Sequence, residues 1–451
     1  MRAVLAAGLI LAGAPLAAPT ASAQAEAADV VGAWRAVEPY FPPTLLVERD
    51  AGGRLVVYLT DASQARDNPF SEAAVRGDSL LLALDRLSMT FRGRVSPSGD
   101  QIAGTFTQGD RSVPLTLVPA AADDPPRIWR PQSPLPPYPY ASSEVSFASD
   151  PGVELAGTLT VPEGDGPFPG VVLLQGSGVS DRDAEVGGHR TFLVLADHLA
   201  RHGVAVLRYD KRAGDEPAGG ARLDALTRDA EAALRALRAQ PQVDPARVGV
   251  VGHSEGGLVA PRAADGAAFL VLLAAPATPI GDALAEQTPR LLAATGAPPA
   301  EVDAARSVMG AVVAAARSDA DSAQSARRVR AAFAGAGWTG EALDGAVRAH
   351  TSRSYRDFVR YDPAPALRAV RVPTLAVVGS ADLFTPPDAN EPALRDALGS
   401  RGTVVVVDGV NHWLQPATTG LPDEIARTDT TVAPAVLDLL AEWIAAQAAA
   451  E

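Results

Sequence analysis

The sequence predicts an α/β domain, with helices on both faces of a mostly parallel sheet, preceded by a small antiparallel β domain. The first observation is a series of continuous apolar runs, separated by helical stretches, in the later part of the chain. Strands that are apolar on both faces belong to a parallel sheet between two layers of helices. The second observation is a series of short runs between turn residues in the earlier part, which is typical of antiparallel strands.

The composition excludes several classes of function. A chain of 451 residues, 47% of them hydrophobic, can form two or three globular domains. Its formal charge of −14 argues against a nucleic-acid partner, because phosphate backbones are repelled by an acidic surface. The chain contains no cysteine, which excludes disulfides, a thiolate nucleophile and cysteine metal sites.

Residues 1–23 are expected to be a secretory signal peptide. One basic residue, Arg2, precedes a short apolar run that ends at Ala21-Ser22-Ala23, and this pattern is typical of cleavage after Ala23. A lipid-anchored mature form is not expected, because there is no cysteine at the cleavage point. The alternative is an ordinary Ala-rich N-terminal helix. No later segment has the pattern of a membrane span, so we expect an exported protein, periplasmic or extracellular.

Residues 30–118 form the predicted β-rich module. Two apolar runs flank Asp50-Ala51-Gly52-Gly53, which is a strong hairpin signal. The spacing of the runs favours a small sandwich or half-barrel. The predicted strands are 44–49, 54–60, 79–84, 89–95, 101–107 and 113–118. Its aromatic residues either line a ligand groove or, as is more common, fill the core. These residues are Trp34, Tyr40, Phe41, Tyr58 and Phe70.

Residues 119–140 contain eight prolines, so we place the domain boundary in a stiff linker there. The α/β domain follows over residues 141–450. Its predicted strands are 169–175, 203–209, 247–252, 268–274, 373–379 and 403–408, and its predicted helices are 190–202, 222–239, 256–264, 388–399 and 432–449. Residues 278–362 interrupt this alternation with helical stretches at 300–318 and 320–334. An insert of that length predicts a helical cap over the site.

The segment Gly252-His253-Ser254-Glu255-Gly256 matches the pattern G-x-S-x-G. An apolar strand precedes it and the start of a helix follows it, and this arrangement exposes a serine at the carboxyl edge of a sheet. Glycines on both sides allow the strained turn. We therefore predict that Ser254 is a nucleophile. The alternative is a Gly-rich turn with a bystander serine.

A serine needs a general base to become a useful nucleophile at neutral pH. His412 follows the last predicted strand, in a Gly-containing loop from which a base can reach back to the serine. His253 adjoins the serine and is expected to point inside. His198 and His202 are spaced for a metal, but no carboxylate completes a zinc motif, so surface positions are favoured. The remaining histidines are His189 and His350, the latter in the predicted cap.

The third member of the site must orient His412 and stabilise its imidazolium. Asp382 lies just beyond the penultimate predicted strand and is favoured for this role. Asp408 is the alternative, but it lies only four residues before His412 and would need an unusual loop.

An acyl-transfer intermediate also needs two N–H donors for its oxyanion. The first predicted donor is the backbone of Glu255, directly after the nucleophile. The second is expected from the Gly-rich loop after an earlier strand, with Ser177 preferred and Gly176 next.

Together these segments resemble the α/β-hydrolase superfamily, and within it exported bacterial esterase-like hydrolases close to the serine aminopeptidase and prolyl-oligopeptidase groups. The resemblance covers residues 142–450. It is carried by LLQGSG (173–178), DRD (181–183), LRYDKR (207–212), GHSEGG (252–257), VVGSAD (377–382) and GVNHW (409–413). It implies an α/β-hydrolase fold, whose usual chain order of nucleophile, acid and base is met here by Ser254, Asp382 and His412. The chain departs from the family's usual pattern at Ala213, where glycine is common.

The resulting hypothesis is a serine hydrolase that cleaves carboxylic esters of a small acyl substrate through an acyl-enzyme. It needs no metal or organic cofactor. A peptidase or amidase with the same three residues is the alternative, and Glu185 or Glu255 would then be candidates to bind a free amino terminus. A non-catalytic ligand-binding module on the same fold is the alternative from another class. The sequence leaves the oligomeric state, the acyl group and the leaving group open.

Overall fold

The computed structural model describes residues 28–37, 44–60, 69–120, 130–178, 180–213, 221–318 and 321–449. The predicted signal peptide lies outside these described residues, as do Tyr40 and Phe41. The described chain divides into two compact units. The first takes in the residues up to Tyr138 together with Gly187–His189, and the second takes in Pro139–Val186 and the residues from Arg190 onward.

The first unit is built on one antiparallel sheet. Its strands are β1 (Gly32–Ala36), β2 (Thr44–Arg49), β3 (Leu55–Thr60), β4 (Glu72–Arg76), β5 (Ser79–Leu84), β6 (Met89–Val95), β7 (Ile102–Gln108) and β8 (Arg111–Pro119). Their order in the sheet is β3-β2-β1-β8-β7-β6-β5-β4. A bridge between Tyr58 of β3 and Pro69, just before β4, brings the two edges of the sheet together into a nearly closed barrel.

The predicted antiparallel domain is therefore confirmed, with two strands more than the sequence indicated. β1 and β4 have five residues each, which is too short for a clear alternation. Trp34 is 4% exposed and belongs to the core, and Phe70 packs against that core. These two aromatic residues therefore belong to the core of the domain and do not line a ligand groove.

The second unit is an α/β domain with an eight-stranded sheet. In chain order the strands are β9 (Tyr140–Ala148), β10 (Glu154–Pro162), β11 (Phe168–Leu174), β12 (Glu185–Val186), β13 (His189–Arg190), β14 (Ala205–Tyr209), β15 (Val243–His253), β16 (Leu270–Leu273), β17 (Thr374–Gly379) and β18 (Gly402–Val407). The short strands β12 and β13 pair only with each other, and the other eight strands form the large sheet. The sheet order is β18-β17-β16-β15-β11-β14-β10-β9. The six strands from β18 to β14 are parallel, and β10 and β9 add an antiparallel edge.

Helices cover both faces of this sheet, which confirms the predicted fold class. They are α1 (Thr191–Arg201), α2 (Leu223–Arg238), α3 (Glu255–Val259), α4 (Ile280–Ala294), α5 (Pro299–Arg317), α6 (Ser322–Gly335), α7 (Gly340–Thr351), α8 (Arg353–Val359), α9 (Ala364–Ala369), α10 (Pro387–Leu398), α11 (Glu424–Arg427) and α12 (Pro434–Ala449). Helices α2, α3 and α10 pack on one face of the sheet. Helices α1 and α12 pack on the other.

The insert between β16 and β17 is helical, as the sequence predicts. It carries α4 to α9, and its own small core is centred on Val312, Val329 and Phe333. Across the described ranges, no helix combines the length and the apolar character needed to cross a membrane.

Candidate active site

The carboxyl edge of the parallel sheet brings the predicted site residues together. Ser254 directly follows β15, Asp382 lies three residues beyond β17, and His412 lies five residues beyond β18. Because these strands are parallel, their carboxyl ends meet at one edge. Side chains separated by up to 158 positions in the chain therefore come within hydrogen-bonding distance.

Ser254 occupies a sharp turn between β15 and α3. Its backbone has φ 53° and ψ −114°, a conformation that non-glycine residues rarely adopt. The flanking glycines make the turn possible, because a Cβ at Gly252 would collide with the carbonyl of Gly256, and one at Gly256 with the carbonyl of Leu174. The hydroxyl is therefore raised above the sheet edge by a strained backbone that only these neighbours accommodate.

The His412 imidazole lies between Ser254 and Asp382. Its Nε2 is 3.0 Å from Ser254 Oγ, and its Nδ1 is 2.9 Å from Asp382 Oδ2 and 3.1 Å from Oδ1. A proton on Nδ1, directed at the carboxylate, leaves Nε2 free to accept the hydroxyl proton of the serine.

Asp382 is 1% exposed and is held by more than His412. The backbone amides of Phe384 and Thr385 each donate to its Oδ1 at 2.8 Å, and the Thr385 hydroxyl lies 2.5 Å from its Oδ2. Burial by itself would raise the pKa of Asp382, but the charge of His412 and these hydrogen bonds lower it below its ordinary value. The lowered pKa favours the ionised form of Asp382 beside His412.

The alternative acid, Asp408, is exposed and accepts a hydrogen bond of 2.9 Å from the Ser380 hydroxyl. The structure thus brings Asp382, and not Asp408, to the imidazole. It also brings Phe384 onto one face of the His412 ring, with centroids 5.0 Å apart and planes at 28°. Sequence reasoning missed Phe384 and Thr385, although both follow Asp382 closely in the chain.

The loop that carries His412 is fixed by its neighbour Asn411, which is fully buried. The Asn411 side-chain oxygen accepts hydrogen bonds from the amides of Trp413 at 2.9 Å and Gln415 at 3.0 Å. This local turn shapes the backbone on the carboxyl side of His412. The Asn that precedes His412 in the chain is the sequence signal for this turn.

His253 points to the backbone of the same loop. Its Nε2 donates to the carbonyl of His412 at 2.8 Å, and burial together with the nearby His412 lowers the pKa of His253 to about 4. A neutral ring is needed there, because a second positive charge beside His412 would disfavour the imidazolium. His198 and His202 lie at the end of α1, and His350 lies in α7.

Two backbone amides are available as oxyanion donors beside Ser254. Glu255 is the first residue of α3, where amides have no partner within the helix. Gly176 lies against the serine, since a Cβ built on it would stand 3.4 Å from Ser254 Cβ, and Ser177 lines the same cavity. Within the described part of the chain, the amides of Glu255 and Ser177 donate to no protein group.

The match to protein families agrees with this geometry. Residues 171–428 match the alpha/beta hydrolase family, which is more than half of the chain. The chain belongs to the alpha/beta hydrolase family. The resemblance seen in the sequence is thereby confirmed.

Known proteins similar to this alpha/beta hydrolase include esterases and a further hydrolase. Esterase EstD of Thermotoga maritima is 38% identical over 136 residues, which are 30% of this chain and 33% of the esterase. The match thus spans about a third of that esterase's length. An esterase structure from Pyrobaculum calidifontis has 17% identity and a TM-score of 0.40, and covers 69% of this chain and 86% of its own. A puromycin hydrolase structure has 16% identity and a TM-score of 0.41, and covers 91% of this chain and 52% of its own.

A cavity of about 470 Å³ opens in front of the hydrolase's Ser254 and His412. Its walls are mostly apolar and come from the sheet edge and from cap helices α4 and α8. The apolar residues that line it include Val186, Phe192, Ile280, Leu284, Phe358 and Trp413. Its volume lies within the range of small-molecule sites.

Two acidic residues, Glu255 and Glu185, were considered as binding groups for the amino terminus of a substrate. Neither is a buried carboxylate without a partner. Glu255 is 7% exposed, and its carboxylate oxygen Oε2 lies 2.5 Å from the ammonium nitrogen of Lys211. Glu185 lines the cavity at an exposed position of β12. Of the two, only Glu185 is therefore placed to meet a cationic ligand.

Proposed function

We propose that this hydrolase cleaves carboxylic esters with Ser254 as nucleophile, His412 as general base and Asp382 as the residue that orients the base. The observation that carries the proposal is the continuous hydrogen-bonded series from Asp382 through His412 to Ser254. Each residue type matches its role in a serine hydrolase, and each lies at the carboxyl edge of the sheet.

The reaction begins when His412 Nε2 takes the proton of Ser254 Oγ as that oxygen attacks the ester carbonyl carbon. The carbonyl oxygen becomes an oxyanion, held by the backbone N–H groups of Glu255 and Ser177. His412 then gives the proton to the leaving alkoxide, and the alcohol departs. Water, losing a proton to His412, attacks the acyl-enzyme, and the acid is released with Ser254 restored.

The cavity supports esters whose acyl or alcohol part is apolar. Most of its lining is apolar, and burial of apolar surface favours aliphatic or aromatic groups at about 25 cal/mol per Å². The partial match to the esterase of Thermotoga maritima supports an ester as the substrate.

A peptidase or amidase is the second candidate, and one observation favours it. The exposed Glu185 lies on the lining of the cavity, where its carboxylate can pair with an amino group of a bound substrate. The same nucleophile and base would then release an amine instead of an alcohol.

The test is turnover of p-nitrophenyl acetate and butyrate by the purified protein, beside Ser254→Ala and a set of aminoacyl p-nitroanilides. We expect ester turnover that is lost in Ser254→Ala, with butyrate preferred over acetate. Faster turnover of the anilides, lost in Glu185→Gln, would establish the peptidase instead. A folded protein inactive on every substrate would overturn both and favour a non-catalytic binding module.

A further inference from the structure

Lys211 is the only lysine in the chain. Lys and Arg number 39 together, and every other member of that set is an arginine. Lys211 follows β14 at the carboxyl edge of the sheet, and its side chain is 3% exposed. All other basic side chains of the Lys and Arg set are guanidinium groups. The burial of the one lysine side chain therefore suggests that its local contacts require an ammonium group.

The Lys211 ammonium makes two short contacts. Its Nζ donates to the backbone carbonyl of Gly176 at 2.7 Å and to Glu255 Oε2 at 2.5 Å. These two partners lie on different loops, one after β11 and one at the start of α3. Both loops carry an amide that we propose as an oxyanion donor.

The contact with Gly176 fixes the direction of the next amide. The bond between Gly176 and Ser177 is trans, so its C=O and N–H point in opposite directions across the peptide plane. The carbonyl is directed at Lys211, and Gly176 lies against Ser254. The Ser177 N–H is therefore turned away from Lys211, and Ser177 lines the cavity in front of Ser254.

We infer that Lys211 is a positioning residue that sets both oxyanion donors of the site. It holds the Ser177 amide through the carbonyl of Gly176, and the Glu255 amide through that residue's own carboxylate. This inference rests on the proposed function, because the two amides have a catalytic use only if Ser254 attacks an acyl carbonyl.

A purely structural role explains the observations less well. A buried ion pair brings little net stability, because the loss of hydration offsets the attraction between the charges. An ammonium is a compact charge with three donors in different directions, whereas a planar guanidinium presents its donors in a fixed fork. The compact ammonium of Lys211 meets a carbonyl and a carboxylate that converge from two loops.

Four variants separate positioning from stability. Lys211→Met removes both contacts, and Glu255→Gln removes the ion pair but keeps the contact with Gly176. The double variant Lys211→Met/Glu255→Gln leaves no buried charge unpaired, so the fold is preserved. Arg212→Met is the matched control, since the adjacent Arg212 loses a buried ion pair with Asp229 that does not reach the cavity.

We expect kcat for p-nitrophenyl butyrate to fall by about 10²–10³ in Lys211→Met and in the double variant, as for loss of one oxyanion donor. KM should change much less, and the inhibition constant of butaneboronic acid, whose tetrahedral adduct occupies the oxyanion site, should rise by the same factor as kcat falls. Glu255→Gln should lose less kcat than Lys211→Met, because its side-chain oxygen can still accept from Lys211 and the contact of Lys211 with Gly176 remains. Arg212→Met should melt at a lower temperature but retain kcat.

Three results would overturn the inference: kcat of Lys211→Met within about fivefold of the wild type, a larger loss of kcat in Glu255→Gln than in Lys211→Met, or a loss confined to KM. An inactive wild type would instead overturn the proposed function.

A spectroscopic test needs no variant of Lys211. Since the chain has one lysine, protein labelled with lysine carrying ¹³C at Cε gives one side-chain NMR signal. That signal should shift when butaneboronic acid is added to the wild type and stay unchanged in Ser254→Ala. A signal that does not move in the wild type, although the inhibitor binds, would contradict the link between Lys211 and the oxyanion site.

Discussion

The carboxylate of Asp382 contacts the imidazole of His412 with both of its oxygens, at 2.9 and 3.1 Å from Nδ1. The two residues are 30 positions apart and lie on loops after neighbouring strands β17 and β18. Amides of Phe384 and Thr385 hold the carboxylate from the other side. The Asp382 carboxylate is therefore held in place by groups other than His412.

Asp382→Asn should abolish most of the activity. The amide keeps the shape of the carboxylate but can present an N–H to Nδ1, which favours the wrong tautomer of His412 and removes the stabilising charge. A fall in kcat of about 10⁴ is expected, measured with p-nitrophenyl butyrate. Asp408→Asn is the control and should stay within a few-fold of the wild type. A large fall in kcat for Asp408→Asn, with Asp382→Asn near the wild type, would reassign the acid to Asp408.

Ser254→Gly should be more stable than Ser254→Ala. Both changes remove the hydroxyl, but the backbone at φ 53° and ψ −114° strains any residue with a Cβ, and glycine relieves a cost of about 1–3 kcal/mol. After the entropic cost of glycine in the unfolded chain, a gain of about 1 kcal/mol remains. Urea unfolding measures the difference. Equal free energies of unfolding would show that the turn is not strained.

The stability of the protein should depend on His253 below neutral pH. Its pKa is about 4 in the folded protein against an ordinary value of 6.5, so between these values the unfolded chain binds a proton that the folded protein excludes. The free energy of unfolding must then fall as the pH falls from 6.5 to 4.

His253→Gln is the matching variant, because its side-chain amide can still donate to the carbonyl of His412 but does not titrate. Its stability should fall less steeply than that of the wild type over this interval, in urea unfolding at several pH values. Parallel curves for the two proteins would show that His253 titrates normally.

Tyr355→Phe should leave the stability unchanged or raise it by about 1 kcal/mol. The Tyr355 hydroxyl is buried in the cap, and within the described ranges it has no hydrogen-bond partner, so its removal ends an uncompensated desolvation cost. Burial also raises the pKa of Tyr355 to about 12. The control is Tyr140→Phe, which loses a hydrogen bond of 2.8 Å to Asp197 and should be destabilised. Thermal unfolding compares them, and a large loss in Tyr355→Phe would reveal a partner for its hydroxyl.

Much of the fold was predictable because the parallel strands are buried on both faces. β17 is buried throughout, and a continuous apolar run of this kind is readable from one sequence. The antiparallel strands β9 and β10 were both missed: most residues of β9 are exposed, and β10 is largely buried but its sequence, ELAGTLTVP, has no continuous apolar run. An edge strand with one neighbour has no need of an apolar run.

The positions of Ser254, Asp382 and His412 were predictable for a related reason. Each follows an apolar strand closely, and parallel strands end at one edge of a sheet. Lys211 could not be predicted in the same way. Its partners Gly176 and Glu255 lie 35 and 44 residues away in the chain. Their contacts with the Lys211 ammonium form only because two loops meet in the folded protein.

The most direct test of the proposed mechanism is active-site labelling with a fluorophosphonate, followed by peptide mapping of the purified protein. The account predicts a single modified residue, Ser254, with labelling abolished in Ser254→Ala and strongly slowed in His412→Ala. Labelling at another serine, or none in a folded and correctly purified sample, would contradict the assignment of Ser254 as the nucleophile.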